Sequence, residues 1–145
     1  MTASTATRTI SGLKILPNGK IETVELTADD TGMLRAMYPH LGNTVAEVLD
    51  VRASAPTSAW MDEEGRFRTP GLPNLMASTI IAELNQTATH EQLMYSMVFF
   101  AGRPDMLHFG TILLFGESYD EDSEPMIDSL APSVLDQIKA LGHTF

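Results

Sequence analysis

The chain has no cysteine, which excludes disulfide staples, thiolate catalysis and cysteine zinc sites. Basic residues are scarce: nine Lys and Arg stand against nineteen Asp and Glu, for a formal net charge of −10. Phosphate-backbone binding is driven by clustered cations that displace counterions. The nine here are scattered from Arg8 to Lys139, so direct nucleic-acid binding is not expected. An acidic surface that imitates DNA fits the same charge, as does a plain solubility role. No apolar run approaches the ~18 residues of a membrane span, and the stretch from Met1 to Arg8 lacks the apolar h-region of a secretory signal. These absences predict a soluble cytoplasmic protein.

Catalytic punctuation is missing too. His40, His90, His108 and His143 form neither HxH nor HExxH spacing, so no metal site is expected. There is no G-x-S-x-G elbow and no Walker or dinucleotide glycine pattern, so no catalytic residue and no cofactor is assigned. Glu63-Glu64 and Asp29-Asp30 are adjacent pairs whose side chains diverge, and both read as turn or capping residues.

What is present is an ordinary globular composition, 43% hydrophobic over 145 residues, enough for one domain that buries roughly two thirds of its unfolded surface. Residues 1–8 read as a flexible arm and 9–145 as a single domain. Two β-prone runs, Ile10 to Leu16 and Ile21 to Leu26, flank Pro17-Asn-Gly19. Asn-Gly between such runs signals a hairpin whose two turn residues both accept positive φ. Asp29 or Asp30 caps a short helix carrying Met33, Leu34 and Met37, stopped near Pro39. Val45 to Val51 and Ala59 to Met61 suit strands, followed by a turn at Asp62 to Gly65 into a short strand Arg66-Phe-Arg68. Leu75, Met76, Thr79, Ile80, Glu83 and Leu84 recur with helical spacing behind Asn74 as N-cap. Leu93 to Phe100 reads as helix by its capping box or as strand by its aromatics. Leu107 to Phe115 is a continuous apolar run, predicted to be a central strand buried on both faces with His108 inside it. An acidic loop, Glu117 to Asp128, leads to a C-terminal helix whose apolar stripe runs from Ile127 to Leu141, kinked at Pro132 and stopped by Gly142. The expected fold is α+β, a mostly antiparallel sheet of about five strands with two or three helices on one face.

Leu16-Pro-Asn-Gly19, the strand–turn pair from Ala59 to Phe67 with Glu64-Gly65, Gly71-Leu-Pro-Asn74, and Gly110 to Gly116 occur in an order that resembles a family of small proteins from bacteriophage and prophage genomes, common in actinobacterial hosts. The resemblance spans roughly residues 10–116. It implies a phage origin and a compact α+β domain, and it carries over no catalytic residues, because the family is a domain of unknown function.

One constellation suggests a ligand. Arg66 and Arg68, two apart on a strand, would share a face and run into Gly71 and Asn74, where a helix N-terminus offers free amides and a positive dipole end. With Arg103 they would suit an anionic small molecule such as a nucleotide; as surface residues they would instead pair with neighbouring carboxylates. The acidic stretch with Tyr119 suits a basic host protein or plain solvation, and it lacks EF-hand spacing. The Met-rich run Met94 to Phe100 suggests a homo-oligomer. The expected function is a non-enzymatic phage accessory protein that binds a host protein or a small signalling nucleotide. The alternatives are a small nucleotide-directed enzyme, with His108 or His90 as base, and an acidic DNA mimic.

Overall fold

The computed structural model of the chain describes residues 6–68, 73–86 and 107–145. Its elements run β1 (Arg8–Ile15), β2 (Ile21–Ala28), α1 (Met33–Leu41), β3 (Ala46–Arg52), β4 (Pro56–Asp62), α2 (Gly65–Arg68), α3 (Leu75–Asn85), β5 (Ile112–Tyr119), β6 (Pro125–Asp128) and α4 (Pro132–Ala140). The sheet is antiparallel throughout, in the order β2-β1-β5-β4-β3, with β6 paired to the far half of β5. The α+β class predicted from the sequence is the class of the molecule.

The β1–β2 hairpin forms with Ile15 opposite Ile21. Its turn differs in one respect from the expectation: only Gly19 takes a positive φ, +90°. The Gly19 amide donates to the Leu16 carbonyl at 2.9 Å and the Leu16 amide to the Lys20 carbonyl at 2.9 Å. Pro17 presets the first turn residue, so the loop is a tight turn closed by a glycine bulge and not a two-residue primed turn. At the other end, β1 begins at Arg8, the last residue of the expected arm, because its guanidinium is anchored. It pairs with Asp30 at 2.6 Å and Asp128 at 3.6 Å and donates to the Ile127 carbonyl.

β5 organises the rest. Ile112 to Phe115 are fully buried, and successive side chains point to opposite faces. Ile112 and Leu114 join Leu13, Ile15, Ala59 and Met61 against α3 and α4. Leu113 and Phe115 join Ile10, Val24 and Leu26 against Met33, Met37 and Leu41 of α1. A strand apolar on both sides needs cover on both, so the helices divide between the two faces instead of sharing one. Gly12 lets β1 reach β5 where β6 wedges in: a Cβ there would strike the Leu114 carbonyl and the Phe115 ring.

Several boundaries move. α1 continues through Pro39 to Leu41, since burying Leu41 with Met33 and Met37 outweighs the lost amide. Leu107 and His108 lie outside the strand, which starts at Ile112 after Gly110 at φ +79°. The strand then runs past Gly116 to Tyr119, so the acidic segment is a β5–β6 hairpin. Asp120 builds its turn, accepting from the Asp122 and Glu124 amides at 2.8 and 2.9 Å. α4 starts at Pro132, which sits in its first turn and not at a kink. The run Met94 to Phe100 lies outside the described residues.

Candidate functional site

The predicted anion site takes a different local form. The Asp62 carboxylate accepts from the Glu64 amide at 2.8 Å, and the Phe67 and Arg68 amides return to the Glu64 carbonyl at 3.0 and 3.1 Å. This winds residues 65–68 into one helical turn, in which a spacing of two does not share a face. Arg68 is occupied: its guanidinium meets Asp62 at 2.8 Å and Glu64 at 3.5 Å. Asp62 is 6% exposed and also takes a hydrogen bond from Asn43 at 2.6 Å, so Arg68 compensates a buried carboxylate.

Asn74 is the predicted N-cap of α3, and it is more than that. Its Oδ1 accepts from the Ala77 amide at 3.0 Å. Its Nδ2 donates to the Ile15 and Gly110 carbonyls at 2.9 and 2.8 Å. Its own amide reaches the His108 carbonyl at 2.7 Å. Ser78 completes the knot, donating to the Asn74 carbonyl and accepting from the His108 amide, each at 2.8 Å. Asn74 thus ties the ends of β1, the lead into β5 and α3 together, and its side chain is fully engaged. Arg66 belongs to the helical turn, while Gly71, Arg103 and His90 lie outside the described residues. His108 faces a 310 Å³ recess with Glu47, Asp62, Glu63 and Phe67; Phe67 is 82% exposed.

The larger concavity lies elsewhere, on the face that α1 covers. α1 packs over β2, β1 and the first half of β5, and beyond it the face of β3, β4 and the far half of β5 lies open. The result is a groove of about 890 Å³. Its apolar floor includes Leu34, Trp60, Val48 and Ile127, with Tyr119 on the rim; Val48 is 48% and Tyr119 63% exposed. Trp60 sits opposite Leu113 and Val48 in the ladder, and its indole N–H is satisfied by the Ser58 hydroxyl at 2.9 Å. The indole is therefore held in place with no donor left to offer.

Charge in the groove is one-sided. Asp50 and Glu117 lie on the floor, and Glu121, Asp122 and Glu124 hang from the β5–β6 turn. Arg8, the one cation among the described lining residues, is consumed by Asp30, Asp128 and the Ile127 carbonyl. Burial, and then the neighbouring Asp50 carboxylate, push the Glu117 carboxyl above its usual range. Neither Asp50 nor Glu117 has an ion-pair or hydrogen-bond partner for its side chain among the described residues. No cluster of three metal-ligating side chains occurs among the described residues either. Two neighbouring carboxylates without ion-pair partners, lining the same groove as a fixed indole, are suited to a cation. Sequence reasoning found Tyr119 and the acidic stretch but missed Trp60, Val48 and Asp50. Their alternation on β3 and β4 was the available signal, and it needed the strand pairing to become one surface.

No protein-family model matches the chain, and no curated protein matches it. Among solved structures, the chain is similar to the crystal structure of the small RNA methyltransferase HEN1, with a TM-score of 0.55 and 12% identity. The match covers 96% of this chain and 16% of that one. At that identity the likeness is one of fold, to a small part of a much longer protein.

Proposed function

We propose that the protein is a non-enzymatic binding protein whose α1-face groove docks a positively charged segment of a partner protein. The observation that carries this reading is the pair Asp50 and Glu117, without partners in the groove floor beside Trp60. Glu117, half-buried beside the exposed Asp50 carboxylate, is relieved when a lysine or arginine enters beside it, and the indole adds a cation–π surface. On the resemblance to phage proteins, the partner is a host protein, and occupying it alters host metabolism or defence. The small-nucleotide reading has less support, since Arg68 and Asn74 are already engaged and the groove is acidic.

The chain has one tryptophan, so Trp60 emission reports on the groove directly. Titration with an arginine-rich peptide should shift that emission in a salt-dependent manner, while a panel of nucleotides should not. Asp50→Asn with Glu117→Gln should weaken the peptide several-fold, at about 0.5–1 kcal/mol for each partly exposed ion pair. Peptide affinity unchanged in the double variant, or turnover of a nucleotide, would overturn the proposal.

A further inference from the structure

We propose that the groove takes its partner by strand addition: an extended, positively charged segment pairs with the free edge of β3. The inference rests on reading the groove as a docking site, and it specifies how the occupant is held. β3 is the last strand of the sheet. Its hydrogen-bonding alternation is set at both ends. The Glu63 amide donates inward to the Val45 carbonyl at 3.1 Å, whereas the Arg52 amide turns outward to the Asn85 side chain at 2.6 Å. Odd-numbered residues therefore bond to β4, and the amides and carbonyls of Ala46, Val48 and Asp50 point away from the sheet. No hydrogen bond satisfies these groups among the described residues.

Two of these three residues, Val48 and Asp50, also line the groove with their side chains, Val48 lying opposite Trp60 and Asp50 opposite Ser58. A strand laid along this edge would place every second side chain on the groove face beside Val48 and Asp50, from where a long arginine side chain reaches inward towards Trp60 on the next strand. In antiparallel pairing, the sense of every ladder in this sheet, those are the residues whose own amides face β3, so side-chain recognition and main-chain pairing fall on the same positions. Charge selects the occupant. Glu47 and Asp50 outnumber Arg52 along β3, and two copies of a chain carrying −10 repel each other overall, which disfavours self-pairing at this edge. A basic strand meets the opposite condition.

The test uses three synthetic peptides of alternating Arg and Thr, read by Trp60 emission on the full chain. One is unmodified, one is N-methylated at the Arg amides, and one at the Thr amides. With Arg over the groove, the Arg amides face β3. Methylating them should weaken binding by at least ~10-fold, the loss of two or three hydrogen bonds, and methylating the Thr amides should leave it near that of the unmodified peptide. Val48→Pro, which removes only an outward-facing amide from an edge strand, should also weaken the unmodified peptide, with the circular dichroism spectrum checking the fold. Equal affinity of both methylated peptides, with binding still weakened by Asp50→Asn and Glu117→Gln, would overturn strand addition while the docking groove stands. An unmodified peptide that fails to bind, or binds regardless of those two carboxylates, would overturn the groove and this inference together.

Discussion

The two faces of the sheet are made from alternate residues of the same strands, yet one is closed and the other is left half open. On the closed face, Leu13, Ile15, Ile112 and Leu114 meet Ile80 and Leu84 of α3 and Val134 and Ile138 of α4, all buried. On the other face, nine-residue α1 covers the Ile10–Leu26–Phe115 side, Trp60 packs against the margin of that cluster, and Val48 is left 48% exposed. The closed face is apolar and holds its one deeply buried asparagine in a complete set of hydrogen bonds. The open face keeps two carboxylates unpaired in a concave floor. Stability is concentrated where every polar group is satisfied, and binding capacity where some are not.

The sharpest way to break the closed face is Leu114→Asp. Leu114 is fully buried between β1 and β4, and an unpaired charge there costs several kcal/mol. Soluble expression should be lost; a folded, soluble variant would mean that this face is not the core.

A smaller loss is expected at Asn74. Asn74→Ala removes the α3 cap and strands the Ile15 and Gly110 carbonyls and the Ala77 amide, for about 2–4 kcal/mol. Chemical denaturation should show a lower midpoint with an unchanged slope. A drop no larger than that of an exposed alanine substitution would show that water replaces the side chain.

On the open face the sign should reverse. Glu117 has a raised carboxyl pKa in the folded chain because of burial and then Asp50, so the folded state binds its proton more tightly than the unfolded one. The ionised form therefore costs stability once pH has risen past the raised value, and the cost vanishes below the ordinary carboxylate range near 4.5. Glu117→Gln should raise the melting temperature modestly at neutral pH, and the gain should close as pH falls towards 4.5. A destabilised variant at pH 7 would mean that Glu117 is a structural residue and not a strained lining of the groove.

How far the chain could be read depended on how local the signal was. The hairpin was legible from Pro17-Asn-Gly19, because a short loop has few conformations that bring two strands into register. Asn74 was legible as a cap, but its bonds to Ile15 and Gly110 span 59 and 36 residues and leave no mark in the neighbouring sequence. Residues 66–68 suggest a strand in the sequence and are helical in the structure. Two alternating arginines suit an extended edge, and only the turn that Asp62 organises at Glu64 converts them to helix. The strand expected from Leu107 was placed too early for a similar reason. Hydrophobicity alone does not locate a break, whereas the His108 contacts with Asn74 and Ser78 do.

By itself the sequence determined the α+β class, the hairpin, the α3 cap, the two-sided burial of the β5 run and the exclusion of thiol and disulfide chemistry. Each follows from composition, turn geometry or the period of apolar residues, which act over a few positions. Only the tertiary structure decided that α1 would cover one part of its face, that Val48, Asp50, Trp60 and Glu117 would become one acidic and aromatic surface, and that Arg68 would be drawn to the buried Asp62. Those outcomes depend on which strands become neighbours, a choice made by long-range burial and loop closure that no single segment carries.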